Sequence, residues 1–340
     1  MDNVSQYVIA MDAMGGDNAP EAIRAGVKAA LQSFDDIKIL LCGKREALEA
    51  AANDRVSVVD AREVIEMDES PMLAVRKKTD SSLVRALMEV REGRAQAVVS
   101  AGSTGALLAG GMFKVGRIHG IDRPALAPII PGIKGPVMLI DAGANVDCQP
   151  RFLSQFGLMG AAYMAGVLGI ENPKVGLANI GTEAEKGNKL AKETYELMSN
   201  QTSYHFSGNV EAREIMSGET QVIVLDGFDG NLILKHTEGL ASAMSRMLKE
   251  ELMRDFRSKI GALFVKPALK RFKARMDYHE YGGAPLLGVE GALVKAHGSS
   301  DARAIETAIG QARNMIKNDV VGKIRAGLAG LSAADDKGDK

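Results

Sequence analysis

The chain has 340 residues, 46% of them hydrophobic and 25% charged, and its formal net charge is -1. That is enough apolar material for one large core or two smaller ones. Two cysteines, Cys42 and Cys148, exclude a disulfide framework, and every apolar run is cut by Gly, Pro or charge before the roughly 20 residues needed to span a bilayer. The N-terminus lacks the charged-then-apolar pattern of a signal peptide, so a cytoplasmic chain is expected, with any membrane role peripheral. Neither a zinc-ligand cluster nor an RNA-binding aromatic signature occurs, and no nucleic-acid partner is expected.

In chain order, Tyr7 to Met11 is the first short apolar run, followed by a helical stripe at Ile23, Val27, Ala30 and Leu31. Runs at Ile37 to Cys42 and Val56 to Val59 come next, then a second stripe at Leu83, Leu87 and Val90. Further runs cover Ala95 to Ser100, Val137 to Asp141, Val175 to Asn179 and Val222 to Asp226. Short apolar runs alternating with helical stripes predict buried parallel strands in a doubly wound α/β sheet, read as a single domain over residues 1–330. From Leu240 to Met276 the strands stop, and an amphipathic helical projection is expected over residues 240–276, split in two by Pro267. Residues 331–340 are small and charged and are expected to be a disordered tail.

Several strands end in turns rich in Gly, Asp or Asn, where open parallel sheets gather ligand groups. Val98 to Gly111 read VVSAGSTGALLAGG, placing Ser100, Gly102, Ser103, Thr104 and Gly105 between a strand and a helix. Converging N–H groups, hydroxyls and a helix start suit a small oxyanion, although Ser and Thr there are also ordinary N-caps. A phosphate, a sulfate and a carboxylate all satisfy such a turn. The chain has neither G-x-x-x-x-G-K-[ST] nor G-x-G-x-x-G after a strand, so neither ATP nor NAD is expected as a cofactor.

Gly176 to Lys189 read GLANIGTEAEKGNK, in which Thr182 and Glu185 have capping-box spacing. Capping does not require Lys186 and Asn188, a cation and an amide suited to a phosphate or carbonyl oxygen. Asp141 to Asp147 (DAGANVD) and Asp226 to Asn231 (DGFDGN) pair carboxylates with Gly and Asn. Mg²⁺ would accept such ligands, but a tight turn demands the same residues, and no metal is expected. His297 lies in KAHGSSD, ahead of Ser299, Ser300 and Asp301, which can cap a helix carrying Ile305 and Ile309. Its imidazole, with an ordinary pKa near 6.5, could also orient phosphate or protonate a leaving group.

At these residues the chain resembles the bacterial PlsX family, the acyl carrier protein:phosphate acyltransferases. The resemblance spans nearly the whole chain: MDAMGGDNAP at Met11 to Pro20, SAGSTGA at Ser100 to Ala106, DAGANVD, NIGTEAEKGN at Asn179 to Asn188, DGFDGN, YGGAPLLG at Tyr281 to Gly288, and KAHGSSD at Lys295 to Asp301. It implies a Rossmann-like fold related to the isocitrate and isopropylmalate dehydrogenases and to phosphotransacetylases, a homodimer, and no nucleotide cofactor. It also implies that long-chain acyl-acyl carrier protein and inorganic phosphate become acyl phosphate and free carrier. A membrane acyltransferase then uses the acyl phosphate to acylate glycerol 3-phosphate for glycerophospholipid synthesis. The family often has Asn at the position of Ser103, which alters one donor without removing the turn.

For this chemistry the Ser100–Gly105 turn is assigned to phosphate, Lys186 and Asn188 to phosphate or the oxyanion, Asn231 to the thioester arm, and His297 to orientation or protonation. A covalent route through Cys148 is the competing mechanism. In the projection, Leu263, Phe264, Lys266, Lys270 and Arg271 mix apolar and basic character. They suit an anionic membrane, an acidic carrier protein or a dimer partner.

Overall fold

The computed structural model describes residues 6–275 and 282–335. The chain opens with β1 (Tyr7–Asp12), α1 (Glu21–Ser33), β2 (Ile37–Gly43), the single turn α2 (Arg45–Leu48), β3 (Val56–Asp60), α3 (Pro71–Lys77), α4 (Ser82–Arg91), β4 (Ala97–Ser100) and α5 (Thr104–Gly110). It continues through β5 (Ala125–Leu126), β6 (Ile129–Pro131), β7 (Pro136–Ile140), α6 (Pro150–Val167), β8 (Lys174–Asn179), α7 (Lys189–Ser199), β9 (His205–Glu211) and β10 (Val222–Val224). Two long helices follow, α8 (Gly227–Leu252) and α9 (Phe256–Arg275), and then β11 (Ala284–Leu287), β12 (Ala292–Lys295), α10 (Ala302–Lys317) and α11 (Val320–Asp335).

The strands form two sheets rather than one. The first has the order β3-β2-β1-β4-β12-β11-β5 and the second β6-β7-β10-β8-β9. Pairing is parallel through β3-β2-β1-β4-β12 and through β7-β10-β8-β9. Antiparallel pairs cap the edges: β11 with β12 and β5, and β6 with β7. The chain leaves the first sheet after β5, builds the second from β6 to β10, and returns to place β12 beside β4. Such long-range pairing has no local signature, which is why the apolar runs alone read as one sheet.

The largest core joins the inner faces of both sheets, from Ile9, Met11 and Val99 to Met138, Val175 and Val222. α6 is buried along most of its length, including Phe156 and Tyr163, and α10 contributes Ile305, Ala308, Ile309 and Ala312. Each large apolar side chain so enclosed contributes about 1.5–3 kcal/mol. A second core packs α4 and α5 on the outer face of the first sheet, and a third covers the outer face of the second.

Three local expectations are corrected. Thr182 and Glu185 cap nothing: residues 180–188 are irregular, and α7 starts at Lys189 with the Asn188 side chain accepting the Ala191 N–H at 2.8 Å. Pro267 does not split the projection; it lies inside α9, where it forgoes one backbone bond. The break falls at residues 253–255 instead, where Asp255 accepts the Ser258 N–H at 2.9 Å and so starts a new helix. α11 runs to Asp335, into the segment expected as a tail, and residues 336–340 lie outside the described residues, as do Met276 and Tyr281.

Candidate active site

Asp12, Ser100 and Lys295 stand abreast at the carboxyl ends of β1, β4 and β12. Residues abreast in a sheet share a face, so a carboxylate, a hydroxyl and an ammonium form one row beneath the loops that follow these strands. The Ser100 hydroxyl donates to Asp12 Oδ2 at 2.7 Å and accepts the Gly102 N–H at 3.1 Å. Ser100 is therefore the brace of the turn, committed on both sides. Ser103 caps α5, its hydroxyl oxygen accepting the Ala106 N–H at 3.3 Å, while Thr104 is exposed.

Asp12 is 2% exposed, and burial raises its carboxyl above the usual range. Its second oxygen has no hydrogen-bond partner. Lys295 is 7% exposed and donates to the carbonyls of Ala101, at 3.4 Å, and Ala296; burial pushes its ammonium down to about 8. Gly15 and Gly16 lay the first loop across this row, and a side chain on Gly15 would meet Asp12 and Gly102. That loop is stitched to the 296–301 loop: the Asp17 N–H donates to Gly298 O at 2.8 Å, and Asn18 Nδ2 donates to Ser299 O at 3.1 Å. His297 shares a hydrogen bond between Nδ1 and Ser299 Oγ at 2.8 Å, and Asp301 caps α10 through the Ala304 N–H at 2.9 Å.

The second sheet supplies the neighbouring edge. Asp141, fully buried after β7, accepts from the N–H groups of Leu126 (2.9 Å), Ala144 (3.0 Å) and Asn145 (2.6 Å) and from Asn145 Nδ2 (3.0 Å). Burial outweighs these donors and lifts its carboxyl to about 6. The Gly227 N–H donates to Asn145 O at 2.7 Å, and Asp226 caps α8 through the Asp229 N–H at 2.8 Å. Asn231 is exposed one turn into α8, beside Gly143. Thr104, Leu107 and Leu108 share a small apolar cleft with Leu126, Ala144 and Leu286, so the 100–105 turn and the 141–147 turn border one another. Asp141 and Asp226 both serve as acceptors of backbone N–H groups. Among the described residues no group of three or more His, Cys, Asp or Glu converges as a metal site would require.

The third loop lies farther along the second sheet, after β8. Asn179 Nδ2 donates to Lys186 O at 3.1 Å, and Asn209 Nδ2 donates to Glu183 O at 2.8 Å, fixing a loop whose Lys186 and Asn188 are exposed. Among the described residues no hydrogen bond or ion pair joins this loop to the 100–105 turn. The structure thus brings the 100–105 turn, His297 and Asn231 to adjoining edges and leaves Lys186 and Asn188 in the loop after β8, the strand beyond β10 in the second sheet. Asp12 and Lys295 were not given a role from the sequence, and Asp141 was weighed there only as a turn residue or metal ligand. The available signal was a charged residue ending an apolar run, as in YVIAMD and ALVK.

The fatty acid synthesis protein family model matches residues 7–323. A phosphate acyltransferase of Clostridium perfringens (strain SM101 / Type A) is 52% identical over 93% of this chain and 95% of its own length. One of Alkaliphilus oremlandii is 50% identical over 95% of this chain and 98% of its own. Among solved structures, the EutD phosphotransacetylase from Staphylococcus aureus superposes with a TM-score of 0.60 at 14% identity, covering 92% of this chain and 96% of that one. A branched-chain phosphotransacylase from Enterococcus faecalis V583 gives 0.53, also at 14% identity, covering 92% of this chain and 100% of that one. At that identity the likeness establishes a shared Rossmann-like fold and nothing about substrate. The match over nearly the whole chain, at about half of all positions, places the protein in the fatty acid synthesis protein family, the PlsX phosphate acyltransferases.

Proposed function

We propose that the protein transfers the acyl group of long-chain acyl-acyl carrier protein to inorganic phosphate, and that the acyl phosphate feeds glycerophospholipid synthesis. The observation that carries this reading is the meeting of two sheet edges, one with a glycine turn above a buried ammonium and the other with an exposed amide at Asn231. A small oxyanion on the first edge would face a thioester arm on the second.

In this reaction an oxygen of hydrogen phosphate attacks the thioester carbonyl carbon, a C–O bond forms, and the carbonyl oxygen takes the electron pair. Collapse of the tetrahedral intermediate breaks the C–S bond, and the proton carried in by hydrogen phosphate ends on the carrier thiolate. Positioning and charge stabilisation suffice for such a step. We assign the 100–105 turn to phosphate, Lys186 and Asn188 to phosphate or the oxyanion, Asn231 to the thioester arm and His297 to orientation or proton delivery. The covalent alternative is disfavoured because burial, with Asp141 and Asp226 nearby, pushes the Cys148 thiol up to about 12.

Residues 1–330 act in this reading as one catalytic unit of a cytoplasmic homodimer. Among the described residues no helix is long and apolar enough to cross a membrane. The exposed Leu263 and Phe264 with Lys266, Lys270 and Arg271 support peripheral contact with anionic lipid, next to the membrane acyltransferase that would consume acyl phosphate. The test incubates the protein with phosphate and either acyl-acyl carrier protein or acyl-coenzyme A, then traps acyl phosphate with hydroxylamine. The expected result is hydroxamate that requires enzyme, phosphate and the carrier-protein thioester, with no added nucleotide. Hydroxamate independent of phosphate, or preference for the coenzyme thioester, overturns the assignment.

A further inference from the structure

We propose that Lys295 is the positioning residue that makes this sheet edge a site for a doubly charged oxyanion, with Asp12 as its balancing partner. The inference deepens the reading above and rests on it, since it takes the oxyanion to sit on the 100–105 turn.

Lys295 ends an apolar strand, abreast Ser100 and, one strand farther, Asp12, and all three are buried. A buried ammonium and a buried carboxylate in one row ordinarily close into an ion pair, which offsets part of their desolvation. Here they do not: the ammonium turns to the Ala101 and Ala296 carbonyls, and Asp12 keeps one oxygen without a partner. Ala101 belongs to the 100–105 turn and Ala296 opens the loop that carries His297. One cation therefore ties both loops down and places its charge directly beneath the turn.

Asp12 governs the same turn from the other side. It holds Ser100, and Ser100 holds the Gly102 N–H. Carboxylate and ammonium together fix the turn from below, and it is the ammonium, bonded to Ala101 O, whose charge lies against the turn. A doubly charged anion above it would be favoured over a neutral or singly charged ligand. Both act through the turn and through their charge.

This role has a signature that a packing role lacks. The groups acting on the Lys295 charge are Asp12 on β1 and Asp17 in the following loop, which favour the ammonium, and Lys235 on α8, which opposes it. Burial dominates and brings titration to about 8. Above that pH the free protein loses the charge, whereas a bound dianion restores it, so binding draws in a proton.

The test measures inorganic phosphate binding by titration calorimetry at pH 7 and pH 9, in buffers of different ionisation enthalpy, alongside KM and kcat for phosphate. For the wild type, affinity should fall above pH 8, by up to about tenfold per unit, with proton uptake at pH 9. Lys295→Met should raise KM for phosphate at least about tenfold at pH 7 with a smaller change in kcat, and abolish the proton uptake. Lys295→Arg keeps a charge that does not titrate, so it should retain binding at pH 7 and lose the weakening at pH 9; it also decides the matter if Lys295→Met fails to fold. Wild-type affinity and pH profile in either folded variant overturn the proposal, as does a wild type that binds no phosphate. Phosphate binding with the expected profile but no acyl phosphate formation would instead refute the acyl-transfer reading and leave the Lys295 assignment standing.

Discussion

Asp141 Oδ1 accepts the Leu126 backbone N–H at 2.9 Å, so the strand end of one sheet is tied to the edge strand of the other. The Ala142 N–H returns a bond to Leu126 O, also at 2.9 Å, and Asn145 Nδ2 reaches Pro124 O at 2.8 Å. A carboxylate is suited to this place because it accepts from several N–H groups at once. Asp141→Asn would turn an NH2 group toward those donors, and the expected cost is about 1–3 kcal/mol, read as a lowered melting temperature. The pH dependence should change as well. The folded carboxyl titrates near 6, above its ordinary 3.8, so the native state holds the extra proton between these values and stability should fall as pH rises across that window. A melting series from pH 4 to 7 in which wild type and variant run parallel would refute this.

Gly15→Ala should damage the site from a distance. The added methyl would lie 2.8 Å from Gly102 N and against Asp12, and Gly102 is backbone that cannot swing aside. Overpacking of this kind costs roughly 1–3 kcal/mol, and here the displaced atoms are the oxyanion turn itself. KM for phosphate should rise along with the loss of stability. Gly239→Ala, in the middle of α8 with nothing nearby, is the control: it should leave KM unchanged and stabilise the helix by about 0.5–1 kcal/mol. Unaltered phosphate kinetics in Gly15→Ala would separate that loop from the site.

The sequence is most readable where structure is decided locally. Runs such as Ile37–Cys42 and Val56–Val59 are mostly apolar, each broken by one exposed polar residue, Lys38 and Ser57, and they lie within β2 and β3. The pieces that divide the sheet in two are too short to carry a pattern: β5 is Ala125–Leu126, and β12 ends on the charge of Lys295. The strand-end turns were legible through Gly, Ser and Asn, since backbone geometry demands those residues. What Asp12 and Lys295 do was not, because a charged residue at a strand end reads equally as surface until pairing places it beneath another loop. Thr182 and Glu185 show the converse: capping spacing without a helix to cap.

Cys148→Ala should leave turnover within about threefold of wild type. The thiol is half-buried, donates to Asn145 O at 3.6 Å, and is held as thiol by burial and by the carboxylates of Asp141 and Asp226. A thiol pushed up to about 12 is not a nucleophile at neutral pH, so the protein should also resist iodoacetamide at pH 7.5. Loss of activity in a folded variant, or an acyl-cysteine adduct by mass spectrometry, would restore the covalent route.

Membrane contact should depend on one face of α9. At 3.6 residues per turn, Phe256, Ile260, Leu263 and Phe264 fall on one side, whereas Ala262, Val265, Leu269 and Phe272 fall on the other, with basic residues between. The amphipathic segment therefore carries two apolar stripes. Leu263 and Phe264 are 71% and 82% exposed, more than Val265 and Phe272 at 44% and 56%, and Ala262 is buried, so the first stripe is the more outward of the two. Its flanks carry Arg257, Lys259, Lys266, Lys270 and Arg271, each contributing about 1 kcal/mol beside an anionic surface at low salt. Wild-type protein should sediment with phosphatidylglycerol vesicles, less so at high salt and little with phosphatidylcholine. Changing Leu263 and Phe264 together to Asp should abolish sedimentation while circular dichroism and phosphate binding stay as they were. Sedimentation unaffected by the double change would mean that α9 meets a protein, and cross-linking with acyl carrier protein or a second copy would then identify it.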